Sequence, residues 1–183
     1  MAQYARPDSD VDNPGDAWTN SDGGAPDNTL YTYIDETSVG SDYVSGQDGD
    51  CTGDGAYFTV GLSNVTDPES ASSHAMKFYG YTDSAGEVNT WLKIELLEGT
   101  TVRATKTISE PDNDTPPGDL YTHNLSTSEA NSIGNYDNLR LRIYAGDDDC
   151  MGVTMRVYQA WFECPDAPTP SATTSPAFLL FVD

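Results

Sequence analysis

Apolar and polar residues alternate with a period of two through much of the chain after residue 57. Phe58, Val60 and Leu62 alternate with Tyr57, Thr59 and Gly61, and Met76 and Phe78 with Lys77 and Tyr79. Leu92, Ile94 and Leu96 alternate with Trp91, Lys93 and Glu95, and Leu139, Leu141 and Ile143 with Arg140, Arg142 and Tyr144. Successive side chains of a β-strand point to opposite sides, so each run predicts a strand with one face buried and one in water. Val102 and Ala104 mark a further strand over residues 101–108, and the last strong one covers 153–164. Two registers compete there: Tyr158, Ala160 and Phe162 inward, or the equally apolar stripe of Met155, Val157 and Trp161.

The connections carry turn chemistry: Asp83-Ser84-Ala85-Gly86, Glu98-Gly99-Thr100, residues 111–118, and Gly146 to Asp149. Glu98-Gly99 between two strands predicts a tight hairpin. Ser126-Thr127-Ser128-Glu129 has the capping-box spacing and predicts a short helix over 127–133 ended by Gly134. Asn28 is placed to cap a single turn through Leu30 and Ile34. Many short strands with such punctuation predict an all-β antiparallel sandwich or barrel with one or two helical turns.

The texture changes after Cys164. Residues 166–176 are rich in Pro, Thr and Ser and read as an extended linker. Ala177, Phe178, Leu179, Leu180, Phe181 and Val182 then form a run apolar at every position, so both of its faces seek burial. The expected organisation is a sandwich over 1–165, a linker over 166–176 and a tethered docking strand over 177–183. A strand on a tether can complete the sheet of another copy, backbone bonds supplying affinity and alternate side chains filling pockets. Repeated head to tail, that contact builds a filament. The alternative is that the strand folds back on its own sandwich.

Charge narrows the partners. The chain has 183 residues, with 8 Lys and Arg against 30 Asp and Glu, a net charge of −22. That balance excludes nucleic acid and anionic membranes as partners, since both need cations opposite their phosphates. No run approaches the ~20 apolar residues of a membrane helix. Met1-Ala2-Gln3-Tyr4-Ala5-Arg6 lacks the apolar core of a signal peptide, so the expectation is either a signal already removed or export without a cleaved one. Cys51 and Cys150 sit in polar Gly/Asp segments and Cys164 ends an apolar strand. A Cys51–Cys150 disulfide is the expected pairing, with three free thiols as the alternative. A disulfide would place the protein outside the cytosol, at a cell surface or free of the cell, with a virion as the other setting.

Several short motifs stand together along the chain: Arg6-Pro7-Asp8-Ser9-Asp10-Val11, Ala17-Trp18-Thr19, Ile34-Asp35-Glu36-Thr37, Ser41-Asp42-Tyr43-Val44, Val60-Gly61-Leu62-Ser63, Leu97-Glu98-Gly99-Thr100 and Leu139-Arg140-Leu141-Arg142. Over roughly residues 5–165 the chain resembles the jelly-roll-like β-sandwich of phage and bacterial surface structural proteins, and subunits of environmental extracellular fibrils. The resemblance implies a fold and a structural role, and it carries no functional residues.

Candidate chemistry is sparse. His74 and His123 lie in unrelated contexts, and no nucleophile-elbow, zinc-protease or Cys-x-x-Cys motif occurs. The chain reads as a non-enzyme needing no cofactor. Asp48, Asp50 and Asp54 in one segment and Asp147, Asp148 and Asp149 in another offer hard oxygen ligands suited to Ca²⁺, although the Glu that would complete an EF-hand loop is replaced by Thr59. Asn64, Asn113 and Asn124 each begin a glycosylation sequon. Trp18, Trp91 and Trp161 among eleven Tyr raise a carbohydrate-binding reading, for which aromatics must be exposed on one sheet face. The main expectation is a self-polymerising structural subunit, the alternatives a virion decoration or tail-fibre module and a carbohydrate-binding module.

Overall fold

The computed structural model describes residues 1–23, 29–47, 55–83, 89–112, 114–148 and 152–169. Among them are eleven strands: β1 (Ala2–Ala5), β2 (Pro7–Asp12), β3 (Trp18–Asn20), β4 (Val44–Gln47), β5 (Ala56–Leu62), β6 (Ala75–Thr82), β7 (Thr90–Glu98), β8 (Thr101–Ser109), β9 (Asp119–Asn124), β10 (Leu139–Asp147) and β11 (Thr154–Pro165). One helix, α1 (Thr127–Asn131), and three 3-10 turns join them.

The strands form two antiparallel sheets. One runs β3-β4-β11-β6-β9 with β1 also paired to β11, and the other runs β2-β5-β10-β7-β8. From β4 to β11 the chain crosses between the sheets at every step but the β7–β8 hairpin, so that the orders β4-β11-β6-β9 and β5-β10-β7-β8 face each other, which is the jelly-roll arrangement. β1 and β4 share one edge of β11: β4 pairs with Thr154 to Val157 and β1 with Phe162 to Pro165. The gap between them is filled by the segment before β4. Ala160 N–H donates to the carbonyl of fully buried Ile34 at 3.2 Å, and the Gln159 amide donates to the Glu36 carbonyl.

The core lies between the sheets and follows the predicted alternation. Phe58, Val60, Met76, Phe78, Leu92, Ile94, Leu96, Leu139, Leu141 and Ile143 are all buried in it. Trp18 joins them, its ring centroid 4.7 Å from that of Phe58 and its indole N–H donating to the Ala56 carbonyl at 3.1 Å. Burying side chains of this size is worth about 1.5–3 kcal/mol each.

The competing registers of β11 are both realised, in different halves. Its pairing with β6 shifts between Val157 and Gln159. Met155 and Val157 enter the core before that irregularity, and Ala160, Phe162 and Cys164 after it, leaving Trp161 on the outer face. An extra residue in one strand reverses which face its side chains meet, so no single alternation describes the run.

Other expectations are corrected. The helix spans Thr127–Asn131, and Ser132, not Gly134, is its C-cap. The capping box is formed as predicted, with Ser126 and Glu129 bonding reciprocally. The turn at Leu30–Tyr33 has Thr29 at its N-cap without a side-chain bond. Its first amides, those of Leu30 and Tyr31, are instead held by the Asp10 carboxylate at 2.7 and 2.8 Å. The β7–β8 hairpin turns at Gly99-Thr100, since Glu98 and Thr101 are already paired, and Gly99 takes a φ of 60°. In β8, Ala104 is buried but Val102 is exposed, because the register shifts opposite Leu96 and Leu97. The expected linker and docking strand fall at or beyond the end of the described chain: 170–176 and 177–183, including Ala177, Phe178, Leu179, Leu180, Phe181 and Val182, lie outside the described residues.

Candidate functional site

The outer face of the five-stranded sheet carries a continuous band of aromatic and polar side chains. Antiparallel register sets it: Tyr57, Tyr144, Lys93 and Thr107 stand side by side across β5, β10, β7 and β8. Beside that row stand Gly146, Trp91 and Ser109, again on adjacent strands. The outward half of the alternation therefore builds the band, just as the inward half builds the core.

Trp91 is held in a defined pose. Its indole occupies the space above Gly146, where a Cβ would stand 2.0 Å from two ring atoms, so only glycine fits beneath the ring. The indole N–H donates to Asp148 Oδ1 at 3.1 Å. Lys93 Nζ lies 5.8 Å from the Trp91 ring centroid and 3.8 Å from that of Tyr144. Trp91, Lys93, Thr107, Ser109 and Asp148 line a groove of about 360 Å³.

The neighbouring aromatics are fixed by polar partners. The Tyr144 hydroxyl donates to Glu95 Oε2 at 3.2 Å, and the Tyr57 hydroxyl to Asp12 at 3.1 Å. Arg142 Nε donates to Thr59 Oγ1 at 3.2 Å, and its guanidinium stands 5.1 Å from the Tyr57 ring. Burial, followed by the bond to Asp12, raises the Tyr57 pKa, so this hydroxyl stays protonated at neutral pH. Chemically the groove combines an aromatic ring with an ammonium, two hydroxyls and a carboxylate. A few fixed polar groups around an apolar ring are what orient a small polar ligand.

The outer face of the six-stranded sheet is arranged differently. Trp161 also points outward, but the Arg6 guanidinium lies 5.6 Å from its ring centroid. Its indole nitrogen is buried and has no hydrogen-bond partner among the described residues. Arg6 is itself tied to the Glu36 carbonyl, and burial lowers its pKa while the charges of Asp35, Tyr4 and Glu36 oppose that shift. Farther along the face, Arg156 sits 4.7 Å from the Tyr43 ring and 5.6 Å from the Tyr81 ring and pairs with Asp83.

A second concavity of about 410 Å³ lies between β1, the segment after β5 and the segment before β10, lined by Gln3, Asn64, Thr66, Asp67, Asn135 and Asp137 among others. Neither histidine lines this cleft or the Trp91 groove. His74 is 1% exposed; its Nδ1 bonds the Ser72 carbonyl at 3.0 Å and its Nε2 the Tyr136 hydroxyl at 2.8 Å. Burial lowers the His74 pKa and pushes that of Tyr136 up to about 12, so the pair is neutral at pH 7. His123 pairs with Glu129 at 3.3 Å.

The remaining predicted residues divide as follows. Asp147 is buried, and Asp148 spends one oxygen on Trp91. Asp48, Asp50, Asp54 and Asp149 lie outside the described residues, as do Cys51, Cys150 and Asn113. Among the described residues, no group of three or more His, Cys, Asp or Glu is placed to hold a metal ion. Asn64 and Asn124 are both exposed, but Ser126 of the second sequon is engaged in the capping box. Sequence reasoning named Trp91 but missed Lys93, Thr107, Ser109 and Gly146. For Lys93 the signal was present, since it shares the outward side of β7 with Trp91; the other three join the groove only through the pairings of β7 with β10 and β8.

No protein-family profile and no curated protein sequence matches the chain, and a phage or fibril family is therefore not shown. Solved structures do match it. One is a carbohydrate-binding module, TmCBM61, in complex with β-1,4-galactotriose, at 7% identity and a TM-score of 0.38, covering 90% of this chain and 88% of that one. A xylan-binding module, CBM15, matches at 11% identity and a TM-score of 0.48, covering 91% and 99%. SGBP-B from a xyloglucan utilization locus of Bacteroides uniformis matches at 12% identity and a TM-score of 0.46, covering 84% of this chain and 46% of that one. What the likeness extends to is the β-sandwich fold. Among the described residues, no helix is long and apolar enough to cross a membrane.

Proposed function

We propose that this chain is a non-catalytic glycan-binding module acting outside the cell or at its surface, with the outer face of the five-stranded sheet as its platform. The observation that carries the reading is the Trp91 indole, laid over Gly146, anchored by Asp148, and bordering a groove with Lys93, Thr107 and Ser109. A pyranose presents C–H groups on its faces and hydroxyls around its rim. An aromatic ring takes the first, and an ammonium, hydroxyls and a carboxylate take the second. The net charge of −22 repels polyanions, so the ligand class is neutral glycans.

This reading is favoured over series assembly through the tail. Among the described residues the chain supplies all the strands of its own jelly roll, so the sandwich has no missing strand for another copy to replace. The test is retention on immobilised neutral polysaccharides. Wild-type protein is expected to be retarded and the Trp91→Ala variant to run as if no polysaccharide were present. Equal retardation of both proteins, or of neither, counts against the platform.

A further inference from the structure

We infer that Cys51 and Cys150 are joined by a disulfide that staples the two crossovers at the Trp91 end of the sandwich. The inference rests on strand register on both sides of these crossovers. The β4–β5 connection leaves the six-stranded sheet at Gln47 and enters the other sheet at Ala56. The chain from β10 to β11 makes the reverse journey between Ala145 and Thr154. Gln47 pairs with Thr154, and Ala56 pairs with Ala145. The two crossovers thus start and finish side by side, and each takes nine steps.

Equal length and shared ends give the two crossovers the same count from either side. Four steps beyond Gln47 is Cys51, and four steps before Thr154 is Cys150. From the other side, five steps before Ala56 is Cys51, and five steps beyond Ala145 is Cys150. The two cysteines fall opposite each other whichever end is counted from. Paired antiparallel chains hold opposite Cα atoms about 4.5–5.5 Å apart, within the span a disulfide needs.

Among the described residues, contacts hold the ends of the two crossovers together. The Gln47 amide donates to the Gly152 carbonyl. At the other end Gly55 is pressed against β10, where a Cβ would lie 2.2 Å from the Ala145 carbonyl oxygen. Gly55 and Gly152, one on each crossover, take φ values of 75° and 72°. Cys164 is excluded as a partner. It pairs with Gln3 at the far end of β11, ten strand residues from Thr154 or about 33 Å at ~3.3 Å per residue, and it is fully buried.

Bond formation removes one proton and one electron from each thiol. The two electrons reduce the disulfide of an oxidant, a dithiol oxidoreductase or oxidised glutathione, to two thiols. Such oxidants prevail outside the cytosol.

Protein exported to an oxidising compartment is denatured and alkylated before and after reduction, then weighed intact and digested. The inference predicts one adduct before reduction, three after, and a linked peptide pair containing Cys51 and Cys150. Two or three adducts before reduction, a bridge involving Cys164, or a bridge between chains overturns it. In folded protein, Cys51→Ser and Cys150→Ser should each lower Tm by roughly 5–15 °C, with the double variant no lower than either. The mass result does not depend on glycan binding, so the two readings fail separately.

Discussion

The two outer faces of the sandwich each carry an outward tryptophan on a long strand, yet only one of them borders a groove. Trp91 on β7 has an anchored indole N–H and a groove at its edge. Trp161 on β11 lies beneath Arg6, with its indole nitrogen buried and without a hydrogen-bond partner among the described residues. The difference comes from what covers each sheet. The six-stranded sheet is overlain where the segment before β4 fills the gap between β1 and β4, bringing Glu36 onto Arg6 and Gln159. In the five-stranded sheet the corresponding space is left open by Gly146, which gives the indole room to lie on the sheet. An outward tryptophan is thus packed beneath a guanidinium on one face and borders a groove on the other, and the proposed glycan platform rests on the second.

The widest contrast is expected from removing each ring. Trp161→Ala should lower stability by about 2–3 kcal/mol in denaturant unfolding and leave glycan retention unchanged, since it deletes a ring packed under Arg6. Next is Gly146→Ala, whose methyl must displace the Trp91 indole. It should weaken glycan binding about tenfold, or about 1.4 kcal/mol, while the fold persists; calorimetric titration checks it.

Two smaller effects test the opposite end of the sandwich, where no ligand contact is claimed. Ser126→Ala breaks the capping box of α1 and should lower stability by about 1 kcal/mol without altering glycan affinity. The smallest effect is a pH slope. Burial lowers the His74 pKa below its usual 6.5, against weaker upward contributions from the Ser72 carbonyl and Asp67. Below pH 6.5 the unfolded chain binds this proton before the folded one does. The stability His74 contributes is therefore complete above that pH and is lost as pH falls toward the folded value. Unfolding measured between about pH 7 and 5 should fall more steeply for wild type than for His74→Gln.

Legibility followed burial. β5, β6, β7 and β10 each have a core side and a wet side, and their alternation revealed them. β2 was not legible, because as an edge strand of sequence Pro-Asp-Ser-Asp-Val-Asp it carries charges that guard its open side instead of an apolar stripe. β9, an edge strand of the other sheet, was hidden because none of its residues is fully buried: Leu120 is exposed and only Tyr121 packs against the core. The irregularity in β11 defeated any single alternation. At the candidate site, Trp91 and its outward direction were readable from β7 alone. Gly146, Ser109 and Thr107 were not, since they belong to the groove only through the pairings of β7 with β10 and β8.

The most direct test uses the three indole N–H resonances of uniformly ¹⁵N-labelled protein, assigned by substitution and followed as a soluble neutral oligosaccharide is added. The resonance of Trp91, bonded to Asp148 beside the groove, should move in a saturable way, while those of Trp18 in the core and Trp161 under Arg6 stay in place. Movement of the Trp161 resonance with that of Trp91 unchanged, or no movement of any of the three with every neutral oligosaccharide tried, would contradict the account.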